Sequence, residues 1–435
     1  MVAFGAWRTC RFRAWPGVRP DTALMPFRSG SVTYSRFAVT GELPADAGDE
    51  AFAALGRHVV KPRTLTEEGI ASGWCTGRHV FDTEFGWEHC GFSGSLLAAM
   101  RVDVAKVPAE IRRAYVAMAE DERRPREAGP DGAVPGLGRA ARREAKAQAE
   151  DRCKEEIADG RWRRTSMVGV LLDLVNGAVL APVNGDAMVS ELRGLVESTF
   201  GAKLSRQAAG ALAVDRLNRR GMASDLDDAS PDSFTAPPAE ALARAQEEGG
   251  RVPGRPDVPW ALAGGDALDF LGNVFLLWLW WHAEVHEGAV ATESVPVVIL
   301  VDKVIDLDCP WGVGGRVSLR GHAPGRSAEA TKALQSGKWP RRMGLLIAAH
   351  GQEYECTLHG DRMAVSGLRL QAPGDDVKGQ RLELEDRLDK LATFDAVLVA
   401  LYDQFLRERM GKQWATRRQQ IADWITSRSA ARAAV

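Results

Sequence analysis

Several features are scarce in this chain, and each absence excludes something. No apolar run reaches membrane-spanning length: the longest, 270–281 (FLGNVFLLWLWW), is too short to cross a bilayer and is flanked by charge, so it reads as a buried core helix. Cysteine is sparse. The six, at positions 10, 75, 90, 153, 309 and 356, show no disulfide-framework spacing, which fits a reduced, cytoplasmic chain. Neither sign of charge is in excess: 56 Lys and Arg against 58 Asp and Glu leave a formal net charge of -2. That excludes a histone-like polycation, so any contact with nucleic acid must come from local clustering of cations. There is no G-x-S-x-G elbow, no catalytic triad, and no zinc-finger or RRM signature. No enzyme activity and no cofactor are expected. At 435 residues the chain is long enough for a substantial core and more than one domain.

What is present points to an α+β protein of antiparallel sheets with packed helices. Residues 31–40 read as a strand, 49–59 as an amphipathic helix and 95–104 as a strand. Pro108 opens a helix that ends before a turn-rich break at 126–138. A strongly basic helical segment follows and feeds a hairpin over 168–183, with Asn176-Gly177 as its type I′ turn. The two helices around the break form a projecting charged hairpin, 108–164. Residues 186–200 read as a helix with Met188, Leu192, Leu195 and Val196 on one face. The second half repeats this grammar: helix 266–284, strands 295–307 and 316–320, helix 328–336, strand pairs over 343–370, a long helix 382–410 and a weaker helix 413–425. The expected organisation is a disordered extension over 1–24, with the natural start near Met25. An N-terminal α+β domain follows over 25–107 and 165–217, then a linker or crossover over 218–260, then a C-terminal α+β domain over 261–435.

The most informative stretch is 139–164. Arg139, Arg142, Arg143 and Lys146 fall at i, i+3, i+4 and i+7, which gathers four cations on one helix face, and Arg161, Arg163 and Arg164 stand at the root of the hairpin strand. A cationic stripe beside a rigid sheet suits a phosphate backbone better than a small-molecule pocket. The bland alternative is a solvated face whose charges are balanced at i,i+4 by Glu144, Glu150, Asp151, Glu155 and Glu156.

Other clusters carry weaker signals. Cys75, His79, His89 and Cys90 resemble zinc ligands, but adjacent His89 and Cys90 on a strand point to opposite faces. Asp302, Asp306 and Asp308 share strand parity and raise the alternative of a metal-dependent nuclease, against an edge strand running into a polar turn. Asp225, Asp227 and Asp228 fall in the linker and read as solvated. Gly312, Gly314 and Gly315 hint at a phosphate loop, but no lysine and no helix follow. His282 and His286, at i and i+4, suit a metal or a helix end, the latter fitting better.

In order, FRSGSVTYSRF (27–37), GW (73–74), DTEF (82–85), LLAAMRVDVAKVP (96–108), the basic helix, LLDLVNGAVLAPV (171–183), FLGNVFLLWLWWHAE (270–284), WPRRMGLLIAAHGQEYECTLHGD (339–361) and the long C-terminal helix resemble the recombination-associated protein RdgC family. The resemblance covers most of 25–410; the 1–24 and 218–260 segments lie outside the compact form of that family. It implies horseshoe-like monomers in two related halves, a ring-shaped homodimer around double-stranded DNA, and restraint of RecA without known catalysis. It also implies a cytoplasmic, nucleoid-associated location with no membrane partner. By position it assigns phosphate contacts to Arg139, Arg142, Arg143 and Lys146, and more loosely to Arg316, Arg320 and Arg326. It assigns Trp162 to a subunit contact that closes the ring. The third reading is a protein–protein adaptor without DNA affinity.

Overall fold

The computed structural model describes residues 25–61, 70–124, 136–226, 228–247, 254–374 and 377–428. The expected extension over 1–24 lies outside them. The chain runs β1 (Val32–Thr40), α1 (Asp49–Arg57), β2 (Ile70–Cys75), β3 (Gly91–Phe92) and β4 (Ser95–Ala105), then the helices α2 (Ala109–Glu122) and α3 (Arg139–Ala158). Next come β5 (Arg163–Asp173), β6 (Ala178–Ala181), α4 (Asp186–Phe200), β7 (Lys203–Arg206) and α5 (Ala209–Asn218). Two short helices, α6 (Ala239–Glu247) and α7 (Pro259–Gly264), lead into α8 (Phe270–Val285). The remainder is β8 (Ala289–Ala291), β9 (Pro296–Asp308), β10 (Val317–Gly321), α9 (Ala328–Gln335), β11 (Trp339–Ala349), β12 (Gln352–His359), β13 (Ala364–Arg369), α10 (Gln380–Met410) and α11 (Trp414–Ser427). The class is α+β, as expected.

All the strands form one sheet in the order β10-β9-β11-β12-β13-β1-β6-β5-β4-β2, with β3 on β4, β7 on β1 and β8 on β9, and every named pair is antiparallel. The seam is β1. Its first residues pair with β13 (Val32 with Leu368, Tyr34 with Val365), and Ser35 to Ala38 pair with β6. A strand shared in this way makes the N-terminal and C-terminal strands a single hydrogen-bonded unit.

Period-two alternation decides what lies on each face of the N-terminal strands. Phe37, Leu96, Ala98, Met100, Val170, Leu172, Val179 and Ala181 point to a core closed by α1 and α4 through Phe52, Leu55, Leu192 and Val196. Tyr34, Leu97, Leu171 and Leu180 point the other way, into the main core with α8 and α10. Helix α8 is buried at every position from Phe270 to His282, as expected of a helix apolar all round. Its polar Asn273 accepts from Trp260 Nε1 (2.9 Å) and donates to the Pro340 carbonyl (3.0 Å). A Cβ on Gly272 would collide with the Gly360 backbone, so glycine there permits the close crossing over the β12–β13 turn.

Helix α10 then ties the sheet together. Arg387 donates to the carbonyls of Pro26 and Phe27 (both 2.9 Å), and Arg381 to those of Trp87 (2.6 Å) and Gly91 (2.9 Å). Asp395 accepts from Tyr34 (3.0 Å) and pairs with Arg36, both on β1. Within 218–260, the expected linker or crossover, described residues pack on the rest of the chain: Leu226, Phe234 and Val258 join the main core, Phe234 stands edge-on to Trp339 (5.8 Å), and Asp232 accepts from Trp414 (2.7 Å). Its apolar residues are too widely spaced for periodicity to reveal them. Among the described residues no helix is long and apolar enough to cross a membrane.

One buried carboxylate makes stability pH-dependent. Asp269 accepts the Gly210 N–H at the start of α5 (2.9 Å); burial, with Asp266 and Asp361 nearby, raises its pKa to about 7. The folded state therefore holds a proton that the unfolded chain has released, and stability present near pH 4 is lost as pH rises towards 7. Urea midpoints should fall across that window, with a total effect of roughly 2–4 kcal/mol. Asp269→Asn, which keeps an acceptor for Gly210, should flatten the profile; an unchanged slope would contradict the assignment.

Candidate nucleic-acid interface

Helices α2 and α3 pack side by side, and side-chain pairing shows that they run antiparallel. Tyr115 near the root meets Glu156 (2.7 Å), while Arg123 farther out pairs with Gln148 and approaches Glu144 (3.9 Å). The apolar contact is thin. Only Ala145, Ala149 and Cys153, with Glu156, are buried on α3, facing Ala119 of α2. Arg152 adds a cation–π contact over Tyr115 (4.2 Å).

The root is locked by two carboxylates. Asp103 on β4, fully buried, takes Arg101 at 3.1 and 2.8 Å and Arg163 at 2.5 Å; although burial opposes ionisation, hydrogen bonds from Arg101, Thr165 and Arg163 hold its pKa below the ordinary aspartate range. Glu156 accepts from Tyr115, from the Trp162 indole N–H (2.8 Å) and from Arg161 (3.2 Å), and its pKa is lowered, first by the Trp162 and Tyr115 hydrogen bonds. Trp162 is half-buried and sits in left-handed backbone (φ 63), a conformation costly for a bulky residue. The tryptophan assigned by resemblance to a subunit contact is thus already engaged within its own chain.

The predicted phosphate contacts divide into two groups. Arg161, Arg163 and Arg316 are occupied by Glu156, Asp103 and Asp306. Arg139, Arg142, Arg143, Lys146, Arg164, Arg320 and Arg326 are exposed and make no ion pair within 4 Å among the described residues. The neutralising i,i+4 partners on α3 do not form with these four cations; Asp151 takes Lys154 instead (3.3 Å).

The free cations do not meet at one point. Arg139 to Lys146 lie on the flank beside the buried stripe of α3, roughly 18–28 Å from its C-terminal end at ~1.5 Å per residue. Arg164 stands at the root, and Arg320 is on the edge strand β10, seven strand steps from β5, or roughly 34 Å along the sheet at ~4.8 Å per step.

The N-terminal end of α3 is electrostatically unusual. It has no acidic residue in its first turn, and Gly138 at its N-cap supplies no side chain to the first N–H groups. Arginines there oppose the helix dipole and reduce helix stability. The same arrangement, first-turn N–H groups with no side-chain cap and cations with no carboxylate partner among the described residues, is well suited to a phosphate.

The competing clusters are accounted for structurally. Asp306 is buried and bonded to Arg316 (2.8 Å), Arg342 (2.9 Å) and Ser318 (2.5 Å); Asp302 accepts from the Ala323 N–H (2.8 Å), and Asp308 faces Arg341 (3.7 Å). Cys75 and Cys90 sit in different apolar clusters, with thiols pushed up to about 11 by burial. His282 is held between Trp278 and Trp281 (ring centroids 4.3 and 4.7 Å), and burial lowers its pKa to about 4. Among the described residues no three His, Cys, Asp or Glu side chains converge as a metal would require. Gly312 and Gly314, at φ 68 and 73, belong to the turn between β9 and β10.

Sequence reasoning missed the two carboxylate hubs and a second cationic cluster, Arg216, Arg219 and Arg220 at the end of α5. The run DRLNRR was the available signal for that cluster. Arg101, Arg161 and Trp162 are near neighbours in sequence, but no local pattern marks Asp103 or Glu156 as hubs, because Arg163 and Tyr115 reach them from 60 and 41 residues away. Glu156→Ala should loosen the hairpin root, and tryptic cleavage within 139–158 should accelerate by roughly fivefold or more while the sheet stays intact; an unchanged cleavage rate would remove Glu156 from that role.

No protein-family model matches this chain and no curated protein matches it.

Proposed function

We propose that this protein binds double-stranded DNA without sequence specificity, through the phosphate backbone, and that the flank of α3 is its principal contact. The observation that carries this is the set Arg139, Arg142, Arg143 and Lys146: exposed and without carboxylate partners among the described residues, with Arg139 and Arg142 in the first turn of α3, where cations cost stability. Arg164 extends the contact towards the root, and Arg320 and Arg326 offer a separate, weaker one on the C-terminal strands. No base-reading element accompanies these cations, so affinity arises from counterion release and falls steeply with salt.

The resemblance to the RdgC family supports the rest of the proposal: a homodimer that encircles duplex DNA, associates with the nucleoid in the cytoplasm, and restrains RecA by occupying its substrate. Catalysis forms no part of it, since the 302–308 carboxylates are bonded to arginines and a backbone N–H.

Five phosphate contacts, the four on α3 and Arg164, predict a slope of about -4 to -5 for log affinity against log salt. Arg142→Glu with Arg143→Glu should weaken binding by about tenfold or more near 0.1 M salt and reduce the slope by about 2, equally for unrelated sequences. Fluorescence anisotropy on linear duplex checks both values. No binding at low salt, or binding indifferent to the double reversal, would favour the adaptor reading.

A further inference from the structure

A groove follows one face of α10. It consists of two cavities of about 340 and 660 Å³ that share Arg407. The floor of the first is the small-residue row Ala392, Ala396 and Ala400. The wall is cationic. Arg216 grips Asp403 (2.8 and 2.5 Å), Arg220 reaches both Asp403 (3.5 Å) and Glu293 (3.4 Å), and Arg407 pairs with Glu293. Three guanidinium groups therefore share two carboxylates. Lys412, exposed at the far end, adds a cation with no carboxylate partner among the described residues.

The two carboxylates are unequal. Asp403 is buried and structural. Glu293 is two-thirds exposed, on the turn between β8 and β9, and spans the junction of the cavities with one oxygen on each arginine: Oε2 to Arg220 and Oε1 to Arg407. Exposed pairs of this kind contribute little to stability. We propose that Arg220 and Arg407 form an anion site that takes a phosphodiester group of nucleic acid, and that Glu293 occupies it as an internal competitor. The two free oxygens of a phosphodiester reproduce the disposition of the Glu293 carboxylate, and guanidinium groups favour that geometry. An acidic peptide is the less suitable occupant, because the alanine floor offers no apolar pocket for an anchoring side chain.

This inference rests on the DNA-binding reading, as a second contact separate from α3, and the test keeps the two apart. Glu293→Gln should tighten duplex binding about threefold or more near 0.1 M salt and steepen the salt slope by about 0.9, one additional phosphate. Glu353→Gln, an exposed carboxylate on β12, should change neither. The gain should persist when Arg142 and Arg143 are reversed and vanish in Arg220→Ala/Arg407→Ala. A gain equal to that of Glu353→Gln, or one surviving loss of both arginines, overturns the site.

If the wild type binds no duplex, the α3 reading fails, and calorimetry with inorganic tripolyphosphate decides the chemistry of the groove. Tighter binding by Glu293→Gln that depends on Arg407 supports a phosphate site. No difference from wild type overturns it. Tripolyphosphate bound while Glu293→Gln still ignores duplex overturns the nucleic-acid assignment, as does tighter binding of polyglutamate than of duplex.

Discussion

A guanidinium group already bonded to a buried carboxylate neutralises a phosphate only by giving up that bond, and this constraint sorts the cations of the molecule. Arg163 belongs to Asp103, Arg161 to Glu156 and Arg316 to Asp306. Their positive charge helps hold a hairpin root and a sheet edge, and stripping a partner from a buried carboxylate is strongly destabilising. The α3 cations carry no such obligation. With 56 basic against 58 acidic residues, the overall balance says nothing about binding; the distribution of partners does.

The scaffold behind those cations is stiff for identifiable reasons. β1 donates its two ends to different neighbours, so the strands at either end of the chain cannot separate without breaking its ladder. Asp395 on α10 holds Tyr34 and Arg36 on that same strand, adding a side-chain lock to the backbone seam. α2 and α3 emerge from β4 and β5, eleven paired residues long on each side, which gives the hairpin a rigid base. On α3 only Ala145, Ala149, Cys153 and Glu156 are buried, so the contact between the two helices is thin along its described length.

Much of the fold was legible because its signals are local. Alternation marked 31–40 and 168–183, Asn176-Gly177 marked the turn, and Met188, Leu192, Leu195 and Val196 marked a face of α4, of which Leu192, Leu195 and Val196 are buried. The i, i+3, i+4, i+7 spacing correctly put Arg139, Arg142, Arg143 and Lys146 on one exposed flank. Residues 218–260 read as a linker or crossover because isolated apolar residues such as Phe234 and Val258 leave no period; the burial of those two depends on elements distant in sequence. Pairing was the least legible property. Glu150 stands at i,i+4 from Lys146 and does not pair with it, whereas Asp103, sixty residues from Arg163, takes that arginine. The Glu293 bridge spans still longer separations.

Amide hydrogen exchange across α3 tests the central claim most directly. With saturating linear duplex at low salt, exchange should slow over residues 139–146, where free N–H groups and unpaired cations meet the phosphates, and the protection should fade as salt is raised. Bound duplex with unchanged exchange over 139–146 would contradict the account and place the contact elsewhere.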